Sequence, residues 1–136
     1  MKHTSGDDYL VGFDSEDTLL GGGGNDYLSG RGGNDTYLFN LGDGHDVIAD
    51  YSYSSARAED TIVFGSGINP DNMFLRREGD DLIVNIEGRS DWLTVRDHFN
   101  RSYGQIEKFS FDNGEAWGLA DVEALVADST TPSPFG

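Results

Sequence analysis

Four aspartates near the amino end of the chain recur at a strict interval of nine residues. They are Asp8, Asp17, Asp26 and Asp35. Two residues after each aspartate stands an apolar or aromatic side chain, and the residue in between alternates between tyrosine and threonine, so the full period is two units. Carboxylates repeated in this way can bind a metal ion if the fold stacks one above another.

The distance between stacked turns indicates which metal. A flattened coil with one glycine-rich turn and one short strand per unit would place Asp8 on Asp26, and Asp17 on Asp35, about 4.8 Å apart. Two bare carboxylates at that distance repel by about 3 kcal/mol at an effective dielectric of about 20. A Ca²⁺ midway would lie about 2.4 Å from each oxygen, its preferred distance, whereas Mg²⁺ prefers shorter contacts and retained water.

The composition also favours a cation as partner. Among 136 residues, 9 are Lys or Arg and 25 are Asp or Glu, a formal net charge of −16, which argues against nucleic acid or an anionic membrane. The absence of cysteine excludes disulfides and thiolate metal sites, and the three histidines are scattered. No apolar run approaches the ~18 residues of a membrane span, and the amino end lacks the features of a secretory signal.

The third unit, GGGGNDYLS (21–29), matches the nonapeptide G-G-x-G-x-D-x-U-x completely and resembles the repeats of the RTX (repeats-in-toxin) proteins. The resemblance implies a parallel β-roll in which each calcium takes an aspartate and backbone carbonyls from two stacked turns. Carried over to this chain, it implies the ligands Gly21, Gly22, Gly23, Gly24 and Asp26 from the third unit, and Gly30, Arg31, Gly32, Gly33 and Asp35 from the fourth.

The remaining units depart from this pattern. The second unit has Phe13 and Ser15 where glycines belong, so Asp8 and Asp17 are expected to bind loosely or in half-sites. After residue 38 the spacing stretches. The next candidate ligands are Gly42, Gly44, Asp46 and Asp60. If the alternation of edges continues, Asp46 stacks on Asp26 and Asp60 on Asp35, which gives about four calcium sites.

From about residue 60 the repeat gives way to strands separated by turns, and a short amphipathic helix is predicted over about 119–127. The stretches DTIVFGSGINPDNM, DDLIVNIEG and EKFSFDNGEAW resemble the haemolysin-type calcium-binding-related region that follows RTX repeats. We predict an all-β fold: a short parallel β-roll over 3–60, a capping region of antiparallel β-structure with one short helix over 61–128, and a disordered tail over 129–136. The predicted aromatic core of the cap is Tyr51, Tyr53, Phe64, Phe74, Trp92, Phe99, Phe109, Phe111 and Trp117.

These observations favour a non-catalytic calcium-binding module, since no motif of a hydrolase or metalloprotease is present. The family resemblance implies a monomeric part of a larger bacterial protein, exported by a type I secretion system and folded by calcium outside the cell. An alternative stays open: a glycan- or receptor-binding adhesin module, or an accessory module of a secreted carbohydrate-active enzyme. Exposed aromatic side chains clustered on one face would favour the alternative.

Overall fold

The computed structural model describes residues 6–12, 16–40, 42, 44–50, 59–68, 70–87, 91–99 and 106–128. Within these ranges short strands dominate, with one 3-10 turn and one helix. The elements in chain order are β1 (Tyr9–Val11), β2 (Thr18–Leu20), β3 (Tyr27–Ser29), β4 (Thr36–Phe39), β5 (His45–Ile48), β6 (Thr61–Phe64), the 3-10 turn Pro70–Asn72, β7 (Met73–Glu78), β8 (Asp81–Ile86), β9 (Trp92–Val95), β10 (Lys108–Ser110), β11 (Ala116–Trp117) and α1 (Leu119–Asp128).

The first six strands form a parallel roll, and its last strand, β6, lies beyond residue 60, where the sequence placed the start of the cap. Odd strands β1, β3 and β5 pair in parallel in one sheet, and even strands β2, β4 and β6 pair in parallel in the other. The chain therefore crosses from one sheet to the other at every turn, and it returns above itself after two units. This is the two-unit period that the alternation of tyrosine and threonine predicts.

The core of the roll is built by the apolar residue that stands two positions after each aspartate. Leu19, Leu28 and Tyr37 are completely or almost completely buried, and Leu10 packs against them at the end of the stack. Side chains alternate across a strand, so the residue between faces outward. Strands of three or four residues suffice because each one contributes only one or two side chains to this interior.

The predicted antiparallel region is also present. Strands β7, β8 and β9 form an antiparallel meander, and β10 with β11 forms a hairpin. The sequence did not predict that the parallel ladders continue into this region, yet β9 pairs in parallel with β5 and β10 pairs in parallel with β6. The continuation is stable because Val95 and Phe109 are buried in register with the roll's own core.

Most of the predicted aromatic core is confirmed. Phe64, Phe109 and Phe111 are buried, and their rings pack with centroids 5.2–6.4 Å apart around Phe64. Phe99 and Trp117 are partly buried against this cluster, and Phe74 is half-buried. Tyr51 and Tyr53 lie outside the described residues. Helix α1 closes the region by burying Val122 and Val126 beside β7 and β11.

Trp92 corrects one expectation, because it does not belong to the core. Its side chain is 40 % exposed and stacks on His45, the residue opposite it on β5, with ring centroids 4.1 Å apart. Trp92 stands one residue before the buried Leu93, so the alternation of the strand turns it outward. No helix among the described residues is long and apolar enough to cross a membrane.

His98 is a buried polar residue at the junction of the roll and the cap. Its Nδ1 accepts the backbone N–H of Ile106 at 3.1 Å, and its ring packs edge-on against Phe99 and Phe109. Burial lowers the pKa of His98 to about 4. The neutral imidazole is therefore part of the packed junction.

The buried histidine predicts a loss of stability in acid. Between the unfolded pKa of about 6.5 and the folded value of about 4, the unfolded chain takes up a proton that the folded chain refuses. The free energy of unfolding should therefore fall by about 3 kcal/mol as pH drops through this window, and change little from this cause above it. His98→Asn keeps an acceptor for Ile106 without a titrating group. The difference in unfolding free energy between wild type and variant, measured by urea denaturation at several pH values, should narrow toward pH 4. A difference that does not change with pH would contradict the assignment.

Candidate metal centre

The aspartates of the repeats form two columns, one at each edge of the roll. The register that pairs Tyr9 with Tyr27 and Tyr27 with Val47 stacks the residues that precede them. Column A therefore consists of Asp8, Asp26 and Asp46. Thr36 pairs with both Thr18 and Thr61, so column B consists of Asp17, Asp35 and Asp60. The predicted stacking is confirmed in both columns.

In each stacked pair, one oxygen of the later aspartate accepts a backbone hydrogen bond from the preceding turn. In column A, Oδ1 of Asp26 accepts the backbone N–H of Asp8 at 2.8 Å, and Oδ1 of Asp46 accepts that of Asp26 at 3.0 Å. Column B repeats the pattern, with Oδ1 of Asp35 bound to the N–H of Asp17 at 3.0 Å and Oδ1 of Asp60 bound to that of Asp35 at 2.9 Å. The repeating aspartate is thus part of the backbone ladder itself.

The second carboxylate oxygen of three of these aspartates has no hydrogen-bond partner. Oδ2 of Asp26, Asp35 and Asp46 is buried without any hydrogen-bond partner, in side chains of residues that are 1–2 % exposed. Burial is the main cause that raises the pKa of Asp26, and it raises that of Asp35 to about 7 with help from the charges of Asp60 and Asp17. Buried charges are normally paired with an opposite charge or a metal. Three equivalent oxygens in this condition point to a bound cation.

The glycines that open the units leave room for these oxygens. A Cβ built on Gly12, Gly21 or Gly30 would collide with Oδ2 of the aspartate five residues later in the same unit. Gly22 and Gly24 are glycines for another reason: their φ angles of 73° and 93° lie in the left-handed region, which side chains other than hydrogen disfavour. Arg31 takes the place of Gly22 in the fourth unit and holds a left-handed φ of 69°, at a cost of about 1 kcal/mol.

All the other predicted ligands also lie in the described turns. Gly44 approaches the carbonyl oxygen of Gly24 from the next turn of column A, and Gly32 is buried. The remaining positions, with the burial or backbone angle of each, are Gly23 (half-buried), Gly33 (φ 87°) and Gly42 (φ 89°). Calcium also accepts backbone carbonyl oxygens as ligands, so the participation of these turns remains the prediction made from the sequence.

Two acidic residues at column B were missed by the sequence reasoning. Asp50 is 1 % exposed, and one carboxylate oxygen from each of Asp35, Asp50 and Asp60 lies within 4.8 Å of the others. Glu107 stands one strand beyond Asp60 and accepts its backbone N–H through Oε1 at 2.8 Å. Burial and the charge of Asp60 raise the pKa of Glu107 to about 7. The sequence held a signal for Glu107, because E-K-F (107–109) repeats the D-x-U pattern with one longer side chain.

Column A ends differently. Leu93 pairs with Asp46 and is completely buried, so no carboxylate follows in the stack. The neighbouring Asp91 instead accepts the backbone N–H groups of Gly42 and Gly44 at 3.0 and 3.1 Å through its two oxygens. Column A therefore ends at Leu93, an apolar residue, and at Asp91, whose two oxygens already accept backbone hydrogen bonds.

Comparison with known proteins agrees with this geometry. The RTX calcium-binding nonapeptide repeat matches residues 4–37 and 11–48, and the haemolysin-type calcium-binding protein related domain matches residues 81–121. The chain is 42 % identical over 101 residues to the iron-regulated protein FrpA of Neisseria meningitidis serogroup C. That match covers 72 % of this chain but only 9 % of FrpA.

The close approach of Gly30 to Asp35 yields a prediction. Gly30→Ala should lower the free energy of unfolding by about 1–3 kcal/mol, because the new methyl group displaces the buried Oδ2 of Asp35. Gly118→Ala is the matched control, since its Cβ would find only Asp121 Oδ2, at 3.9 Å. Both variants are compared with wild type by urea unfolding in saturating calcium. Equal effects of the two substitutions would show that the packing around Asp35 is not the cause.

Proposed function

Because the chain belongs to the RTX family of haemolysin-type calcium-binding proteins, it is a calcium-binding module, and we propose that calcium switches it from an unfolded to a folded state. The proposal rests on one observation: carboxylates stack in two columns, and Asp26, Asp35 and Asp46 each have a buried oxygen that no protein group satisfies. The repeats hold the metal between stacked turns, where the proposed ligands are the aspartates of columns A and B with carbonyls of the glycine-rich turns. Bound calcium supplies the positive charge that this interior lacks.

Electrostatics supports folding that depends on the metal. Without a cation, the roll must bury several carboxylates beside one another, in a chain whose net charge is −16. The described aspartates make four stacked pairs, two in each column. Four sites, each at 100-fold excess of calcium over Kd, would stabilise the folded state by about 11 kcal/mol. That is comparable to the whole stability of a typical domain.

The setting in which such a switch is useful is export. A chain kept unfolded where calcium is scarce can pass through a type I secretion apparatus, and it folds when it reaches millimolar calcium outside. We propose that this module lies in a larger secreted protein, since it spans only 9 % of FrpA, and that its task there is to fold and stabilise rather than to catalyse. The role of the flanking region is to cover the last coil of the roll.

A calcium titration tests the switch directly. Far-ultraviolet circular dichroism of the chain in EDTA should show little sheet, with a cooperative gain of β-signal as calcium rises to the millimolar range. Magnesium over the same range is the control, and it should produce little change because the site favours longer metal–oxygen contacts. A native-like sheet spectrum in EDTA would contradict the proposal.

One observation favours a second function, glycan binding. Tyr9, Tyr27, His45 and Trp92 all lie on the outer face of the odd-strand sheet, where Tyr9 stacks on Tyr27 at 4.7 Å and His45 on Trp92 at 4.1 Å. Tyr9 is 71 % and Trp92 is 40 % exposed. Flat exposed rings on one face are suited to stacking against sugars, and this function would exist alongside calcium binding.

Glycan binding predicts a loss specific to this face. If the folded, calcium-loaded chain binds oligosaccharides on a glycan array, Trp92→Ala should weaken that binding about tenfold or more, because truncating a tryptophan that dominates a binding surface costs about 2 kcal/mol or more. Leu125→Ala removes an exposed apolar side chain of α1 and should leave binding unchanged. Absence of binding by the wild-type chain would eliminate this function.

A further inference from the structure

Asp50 occupies a position that the repeat reserves for glycine. Leu28 pairs with Ile48. Continued by two residues, the same register places Gly30, just after β3, opposite Asp50 in the next coil. In the fourth unit Gly30 lies against Oδ2 of Asp35 and has no room for a side chain. Ten residues rather than five separate Asp50 from the next column aspartate, Asp60, so this turn is longer. The unit that begins at Asp50 therefore has a carboxylate at the position where Gly12, Gly21 and Gly30 have no side chain.

The Asp50 carboxylate is buried and unsatisfied. The residue is 1 % exposed, and neither oxygen has a hydrogen-bond partner. Its surroundings are the Asp60 and Asp35 carboxyls and the Tyr37 hydroxyl. Removing a carboxylate from water without compensation costs several kcal/mol. Something must neutralise this group in the folded protein.

No basic side chain does so among the described residues. Arg76 and Arg77 pair instead with Glu78 and Asp80, on β7 and in the turn after it. Oδ2 of Asp35 is also buried and unpartnered beside Asp50. Two oxygen ligands of one calcium ion lie at most about 5 Å apart, because each is about 2.3–2.6 Å from the ion, and the three carboxylate oxygens meet this condition because they lie within 4.8 Å of one another.

We propose that Asp50 is a direct calcium ligand, and that Asp35, Asp50 and Asp60 form a three-carboxylate site at the junction of the roll and the cap. The inference rests on the proposed calcium binding, and it adds a side-chain ligand from outside the nonapeptide pattern. Elsewhere in the columns two aspartates share an ion, so the junction site carries one more negative charge. Since calcium affinity rises with the number of charged ligands, this site binds tightest and fills first.

The test is Asp50→Asn, which keeps the shape of the side chain and removes its charge. Calcium titrations followed by calorimetry and by native mass spectrometry should show the first-filled site weakened about tenfold or more, with the other sites little changed. Thermal unfolding in saturating calcium should show the variant melting below wild type, because a more weakly bound ion stabilises the folded state less. Glu87→Gln, at an exposed residue just after β8, is the control for the loss of one negative charge.

The outcomes separate this inference from the proposed function. A wild-type chain that binds no calcium would remove both. A wild type that binds calcium, with Asp50→Asn unchanged in affinity and stoichiometry, would overturn only the junction site and leave Asp50 as a protonated acid beside Asp60. Asp50→Gly restores the residue that opens the neighbouring units, and it should also fold in excess calcium with a weaker first site. Failure of both variants to fold at saturating calcium would overturn the proposal, because excess metal refills a site that has only lost one ligand.

Discussion

The fold depends on carboxylates that are buried in register above one another. Each repeating aspartate has two oxygens with different tasks. One receives the backbone N–H of the preceding turn and so fixes the register of the coil. In Asp26, Asp35 and Asp46 the other oxygen lies in the interior without a hydrogen-bond partner. The same side chain that specifies the structure therefore buries negative charge, and a cation between the turns would balance that charge.

This constraint accounts for the distribution of glycine. The residue that opens a unit cannot have a Cβ because Oδ2 of its own aspartate lies there. The second and fourth positions of the complete unit adopt left-handed backbone angles, which explains why a side chain at Arg31 is the exception. Small residues here serve the placement of the acid and the carbonyls around it, and flexibility is not what they provide.

Much of this could be predicted from the sequence, because a nine-residue period combined with an alternating residue predicts a roll with two edges. The order of the roll's strands and the inward side chains follow from the period, and the stacking of Asp46 on Asp26 and of Asp60 on Asp35 follows if the alternation of edges is continued. The parts that escaped prediction lie where the period breaks. Asp50 and Glu107 contribute to column B through a longer turn and a longer side chain, and only coordinates reveal their register.

The exposure of Trp92 was not predicted for a related reason. Its aromatic character suggested a core residue, but the face on which it lies is decided by the pairing of β9 with β5. A flanking strand with no repeat before it offers no local pattern from which to infer that pairing. Composition alone could not distinguish a packed ring from a displayed one.

The two ends of the molecule are not equivalent. At the end of the flank, the odd-strand sheet finishes in β7, which carries the exposed charges of Arg76, Arg77 and Glu78 and contacts α1, while the even-strand sheet finishes in a strand of two residues. Both devices discourage a further strand from pairing. At the opposite end, β1 and β2 are short, uncharged and uncovered by any described element. Of the two ends of the stack, the one formed by β1 and β2 is therefore the end whose strand edges are better suited to template the pairing of a further coil.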